Sequence, residues 1–200
     1  MLSGIILAAG DSTRMGSPKA LLTTPDGHPF VARIIRTLRA ADVEDLVVVT
    51  GRDHDAVVDA IARNGLPVLP AVARNPDPSR GQLSSLLVGM EAVVSSSTEG
   101  LLVTLVDVPL VKVSTVTEVI TAWRRTRAPI VRAAVGDRHG HPVIFDRAVL
   151  DELRQASMDA GAKSVVRAHE DEILNVAVED EGCLKDIDTP SDYVSLIRDL

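Results

Sequence analysis

Short runs of β-branched and aliphatic residues alternate along this chain with longer stretches of helical period, and few architectures absorb that alternation. Each run has the length of a strand buried on both faces, and each stretch between has room for a crossover helix. The pattern predicts repeated βα units around a mainly parallel sheet. Expected strands are Gly4 to Ala8, Asp45 to Thr50, Pro67 to Ala71, Leu101 to Val106 and Ile173 to Val178. Between them Val31, Ile34, Ile35 and Leu38 recur at helical spacing, as do Val57, Val58 and Ile61 in an expected helix from Asp53 to Asn64, ahead of a C-cap glycine at Gly65. Further helices are expected over Gln82 to Ser95, over Thr115 to Arg127, near Leu150 and Val165, and from Ser191. Ile130 to Ala134 and Pro142 to Phe145 flank Gly136-Asp137-Arg138-His139-Gly140, which reads as a β-hairpin inserted into the βα pattern.

Composition agrees with that architecture and narrows the partner. Of 200 residues 46% are hydrophobic and only 2% aromatic, so the core is aliphatic, and the chain reads as one domain over 1–200. The expected fold class is therefore α/β, a three-layer α/β/α arrangement around a mostly parallel, Rossmann-like sheet. The net charge is -7, and no Lys/Arg stripe is interleaved with aromatics, so the footprint of a nucleic-acid binder is missing. A small molecule is the expected partner. Cys183 is the one cysteine, which rules out an internal disulfide and fits a reducing cytosol. Met1 to Leu7 has no basic n-region and reads as a strand rather than a leader, and no apolar run approaches the roughly 18 residues of a membrane helix. A cytoplasmic protein with no membrane contact is expected.

The chemistry concentrates after the first expected strand, at the edge where open α/β sheets bind ligands. Ala8, Ala9 and Gly10 are small enough for the main chain to approach an anion, and the backbone N–H groups from Gly10 to Arg14 can cradle phosphate oxygens. Arg14 offers a two-pronged fork and Lys19 a point charge. A solvated surface loop has the same composition. The segment is neither a Walker loop nor a dinucleotide fingerprint, since it lacks the glycines and the Gly-Lys-Ser/Thr ending those require. Asp107 ends an apolar strand at the same edge, where a turn or N-cap role is the plain alternative to ligand binding. Asp186 and Asp188 precede a helix that Asp188 or Ser191 would cap. The Pro-rich loop Arg74 to Gly81 is a candidate site wall, and Ser84 and Ser85 at the start of the helix that follows read as caps or as hydroxyls facing a ligand. His139 and His141 read as turn residues, Glu179-Asp180-Glu181 as a solvated turn, and Arg124-Arg125 as the wet last turn of a helix.

Taken whole, Leu7-Ala8-Ala9-Gly10-Asp11-Ser12-Thr13-Arg14-Met15-Gly16-Ser17-Pro18-Lys19 resembles the signature of the MobA-like nucleotidyltransferases. Gly81-Gln82-Leu83-Ser84-Ser85-Leu86, Asp107-Val108-Pro109, Gly140-His141-Pro142-Val143 and Asp186-Ile187-Asp188-Thr189-Pro190 follow in that family's order. The resemblance is nearest to the molybdenum-cofactor cytidylyltransferases. It implies a nucleotide-diphospho-sugar transferase type of fold and Mg²⁺-dependent transfer of a nucleotidyl group to a phosphorylated acceptor. Arg14, Lys19 and Asp107 are then catalytic, and Leu7, Ala8, Ala9, Gly10, Ser12, Gly81, Ser84 and Ser85 join them in binding the nucleotide. Asp107 and Asp188 would hold the metal, with Asp186 the alternative to the latter, and His141 would face the acceptor. Ala9 stands where the guanylyl-transferring branch has Gly, and Pro18 where it has Asp, which favours CTP. Molybdopterin is the implied acceptor and a molybdoenzyme the implied recipient of the product. The rivals are another base or acceptor, such as GTP or a sugar phosphate, and a nucleotide-binding delivery protein that does no chemistry.

Overall fold

The computed structural model describes residues 1–198; residues 199 and 200, the end of the expected 1–200 domain, lie outside the described residues. In chain order the elements are β1 (Leu2–Ala8), α1 (Phe30–Ala40), β2 (Asp45–Thr50), α2 (His54–Arg63), β3 (Ala71–Arg74), α3 (Gln82–Val93), β4 (Gly100–Leu105), α4 (Val113–Thr126), β5 (Ile130–Val135), β6 (Arg138–Asp146), α5 (Leu150–Gln155), α6 (Lys163–Ala168), β7 (Ile173–Ala177) and α7 (Pro190–Arg198). The strands form one seven-stranded sheet in the order β3-β2-β1-β4-β6-β5-β7. β1 pairs parallel with β2 and β4, and β2 with β3, while β6 runs antiparallel to both β4 and β5. β7 then pairs parallel with β5. The expected hairpin is thus the β5–β6 unit, and its second strand inserts between β5 and β4.

Strand side chains alternate between two cores, because successive Cβ atoms point to opposite faces. Ile6, Val48, Leu102 and Ile144 join α1, α2, α4 and α7 on one face, and Ile5, Val47, Leu101 and Phe145 join α3, α5 and α6 on the other. Both faces are covered, which is why the strands read as continuous apolar runs. No helix among the described residues is long and apolar enough to cross a membrane.

Three local expectations need correction. The third strand is Ala71–Arg74, not Pro67 to Ala71. Pro67 and Pro70 have no N–H to give to a ladder, so pairing with β2 starts only at Ala71, and Val68 and Leu69 stay exposed. His139 and Gly140 lie on β6 rather than in a turn, because the hairpin closes tightly between Val135 and Arg138. The acidic run at Glu179-Asp180-Glu181 is not wholly solvated. Asp180 is buried and accepts from the Lys112 backbone N–H at 2.9 Å and the Thr115 hydroxyl at 2.7 Å, serving the start of α4 from a distant part of the chain. The expected C-cap holds: Gly65, just beyond α2, has φ +60°.

Candidate functional site

The sheet order reverses between β1 and β4, so the loops that follow these two parallel strands diverge and leave a crevice at their carboxyl edge. A cavity of about 340 Å³ occupies it, lined by Leu7, Ala8, Ala9, Gly10, Ser12 and Arg14 on one side. The loop is shaped by Ser12, whose φ of +49° turns the chain so that its carbonyl accepts from the Met15 and Gly16 N–H groups. Its hydroxyl accepts from the Lys19 N–H at 3.1 Å. The backbone N–H groups of Gly10 to Arg14 donate to no protein acceptor among the described residues. Such unspent donors at a sheet edge form an anion-binding concavity.

Lys19 crosses the crevice to the carboxylates. Its Nζ donates to Asp107 Oδ2 at 2.9 Å and also to Asp188 Oδ1, and Arg14 reaches Asp188 Oδ2 at 2.8 Å. The Lys19 side chain is 13% exposed, Asp107 20% and Asp188 30%, whereas Arg14 is 69% exposed. Burial pulls the Lys19 ammonium down, but the hydrogen bonds and charges of Asp188 and Asp107 outweigh it and raise it above the usual lysine value. Lys19 in turn holds the Asp188 carboxyl below its ordinary value. Asp186 goes the other way, raised first by burial and then by the negative charges of Asp107 and Asp188.

Helix capping does not compete for Asp188. Thr189 and Asp192 form the capping box of α7: the Thr189 hydroxyl takes the Asp192 N–H at 3.2 Å and the Asp192 carboxylate takes the Thr189 N–H at 2.8 Å. The cap is therefore neither Asp188 nor Ser191. Asp192 also accepts from the Asp188 N–H at 3.1 Å, and the Ile187 N–H donates to the Asp107 carbonyl at 2.8 Å, which pins this segment to the end of β4.

The opposite wall is the loop from Asn75 to Gly81 with the start of α3, where Gly81 supplies a φ of +92°. Gly81 and Ser85 line the cavity as the sequence implies. Ser84 does not; its hydroxyl turns inward to donate to the Gly81 carbonyl at 2.7 Å. Both serines accept from Asn75, a residue that sequence reading passed over. Pro78 lines the cavity, as expected of the wall loop, and Gln82, which the sequence reading did not assign, lines it as well.

A second cavity of about 360 Å³ adjoins the first along Leu7, Gln82 and Leu105. His139, His141, Arg132, Lys163 and Asp186 bring its polar groups, among apolar walls from β4, β6 and α6. Burial lowers the His141 imidazole from its ordinary value, against the Val103 backbone and the Asp107 charge, and its Nδ1 is buried without a hydrogen-bond partner. His141 thus lies outside the phosphate-loop cavity but beside it. Burial also pushes the Cys183 thiol in this cavity up to about 11, so it is a neutral packing group.

Among the described residues no group of three His, Cys, Asp or Glu side chains converges as a metal site. Two carboxylates do converge, since Asp107 and Asp188 share Lys19. Asp107 Oδ1 is buried with no hydrogen-bond partner, and a stranded carboxylate oxygen is costly unless a cation takes it. Two hard oxygen donors, with phosphate oxygens and waters for the remaining positions, fit a divalent ion of the Mg²⁺ kind.

A crevice at the switch point of a sheet covered on both faces places the chain among the open α/β proteins that bind ligands at that edge. The chain belongs to the MobA-like NTP transferase family, whose domain matches residues 4–173. It is 29% identical over 195 residues to the probable molybdenum cofactor guanylyltransferase of Rhodopirellula baltica, covering 96% of this chain and 89% of that one. It is 30% identical over 203 residues to the nicotine blue oxidoreductase of Paenarthrobacter nicotinovorans, covering 98% and 96%. The crystal structure of Rv0371c from Mycobacterium tuberculosis superposes with a TM-score of 0.81 at 27% identity over the whole of both chains. A manganese complex of that protein gives 0.77 at 26%, over 100% and 99%.

Proposed function

We propose that the chain, acting as one domain over 1–200 in the cytoplasm, transfers a nucleotidyl group from CTP to a small phosphorylated acceptor, molybdopterin in the first instance. The observation that carries this reading is the meeting of Lys19 with Asp107 and Asp188 beside a loop of unspent backbone donors. In the reaction, a phosphate oxygen of the acceptor bonds to the α-phosphorus while the bond to the bridging oxygen breaks, and pyrophosphate leaves with that electron pair. The acceptor oxygen is already anionic, so no catalytic base is required. Lys19 and Arg14 stabilise the oxygens that gain charge, and the loop amides align the phosphates. Mg²⁺ held by Asp107 and Asp188 would supply further charge neutralisation. The polar groups of the adjoining cavity, His141 among them, face the acceptor. A molybdoenzyme would receive the product.

Ala9 and Pro18 support CTP, while the relative from Rhodopirellula baltica carries a guanylyl-transferring name. Incubation with each of the four NTPs, molybdopterin and Mg²⁺ or Mn²⁺, followed by mass identification of the product, tests the reading. A cytosine dinucleotide is expected. A guanine dinucleotide would move the assignment to GTP, and tight nucleotide binding with no pyrophosphate released would favour a delivery protein. Oxidoreduction is a separate reading, supported by the likeness to the protein named nicotine blue oxidoreductase. Consumption of an added reductant, with no nucleotide turnover, would establish it instead.

A further inference from the structure

Asn75 follows β3, is 3% exposed, and has its whole side-chain amide in use. Its Oδ1 accepts from the Asp77 backbone N–H at 3.0 Å. A backbone amide only donates, so this contact fixes which end of the side chain is oxygen. Both Nδ2 protons are thereby delivered to serines, Ser84 Oγ and Ser85 Oγ, each at 2.9 Å. The two hydroxyls then part ways. Ser84 spends its proton on the Gly81 carbonyl within the wall. Ser85 lines the cavity, and its proton has no protein acceptor among the described residues. With its oxygen engaged from behind by Asn75, Ser85 has a proton to offer to the crevice.

We propose that Asn75 is a positioning residue that makes Ser85 a hydrogen-bond donor to the nucleoside part of a bound nucleotide. The inference rests on the nucleotide-binding reading above. Lys19 and Arg14 mark the phosphate side of the cavity, whereas the wall of Pro78, Gly81, Gln82 and Ser85 brings no charge to its lining. A neutral donor on an uncharged wall suits a carbonyl, ring nitrogen or ribose oxygen better than a phosphate. Polar readout of this kind discriminates strongly, because a ligand lacking the acceptor leaves a buried group unpaired.

The test is calorimetric titration with CTP, GTP and inorganic tripolyphosphate, alongside pyrophosphate-release kinetics and thermal melts. Asn75→Asp keeps an acceptor for Asp77 but turns an oxygen toward both serines, drawing the Ser85 proton back into the wall. Affinity for the preferred nucleotide should fall about tenfold in Asn75→Asp and in Ser85→Ala, the loss of one hydrogen bond. KM should rise in step, with kcat within about threefold and tripolyphosphate affinity unchanged. In the double variant the loss should equal that of Ser85→Ala alone, because Asn75 acts through Ser85. Additive losses would overturn the proposal, as would unchanged affinity in Ser85→Ala or a parallel loss for tripolyphosphate. Ser85→Ala keeps the last two of these readouts available should Asn75→Asp fail to fold. Wild-type protein that binds neither nucleotide would overturn the nucleotide reading itself, and binding without turnover would sink only the transfer reaction.

Discussion

Lys19 and Asp107 are 88 residues apart in the chain, and their side chains meet at 2.9 Å across the ends of β1 and β4. Since Asp188 shares the same ammonium, replacing Lys19 leaves two carboxylates without their common cation. Lys19→Ala should lower turnover by about a hundredfold or more through lost electrostatic stabilisation of the transition state. The melting temperature should fall as well, because Asp107, with Oδ1 buried, is left beside Asp188 without their shared cation. Pyrophosphate release at saturating nucleotide checks the first point. A rate within severalfold of wild type would remove Lys19 from the mechanism.

Asp107 separates stability from activity. Its buried Oδ1 has no partner, so the carboxylate is not placed there for the fold. Asp107→Ala should lose turnover by about a hundredfold or more without losing stability. At residual activity, half-maximal rate should require more divalent ion. Metal titrations of the two proteins give the comparison, and an unshifted midpoint would take Asp107 out of the metal site.

The part of this site that was legible in the sequence is the part tied to strand ends. β2 runs over Asp45–Thr50 as its apolar run predicts, and Lys19 and Asp107 follow apolar strands whose position in a βα pattern fixes the edge they reach. β3 departs from its apolar run because Pro67 and Pro70 have no N–H to give to the ladder, which hydrophobicity alone does not register. The α7 cap was legible and overlooked: Thr189-Pro190-Ser191-Asp192 is a capping-box spacing. Asn75 was not legible. Its role lies in where the folded chain brings the Asp77 amide and two hydroxyls, and no residue-type pattern announces that.

His169 ties α5 to the segment after α6, with Nε2 at 2.9 Å from Glu152 Oε2 and Nδ1 at 3.1 Å from Glu172 Oε1. The Glu152 hydrogen bond is the largest cause of its raised value; burial opposes it, and Glu172 adds to it. A histidine that holds its proton more tightly when folded stabilises fully below the unfolded value of about 6.5, and loses that contribution as pH rises through the folded value. Urea midpoints should therefore fall between about pH 5.5 and about pH 8.5 by more in the wild type than in His169→Ala. Equal falls in the two proteins would show that the pair of glutamates does not hold the proton.

Gly51 joins the two walls of the proposed nucleotide crevice. A Cβ built there would lie 2.6 Å from the Ala9 carbonyl oxygen and 3.0 Å from Pro78 Cγ. Neither neighbour is the far end of a flexible side chain: one is the backbone of the phosphate loop, the other a proline ring on the opposing wall. Gly51→Ala must therefore push the loop and the wall apart, at a cost of about 1–3 kcal/mol for overpacking. Because Ala9 and Pro78 both line the cavity, the strain should raise nucleotide KM severalfold as well as lower the melting temperature. If stability falls while KM holds, the methyl group is accommodated by movement away from the crevice, and the coupling between β2 and the phosphate loop is structural only.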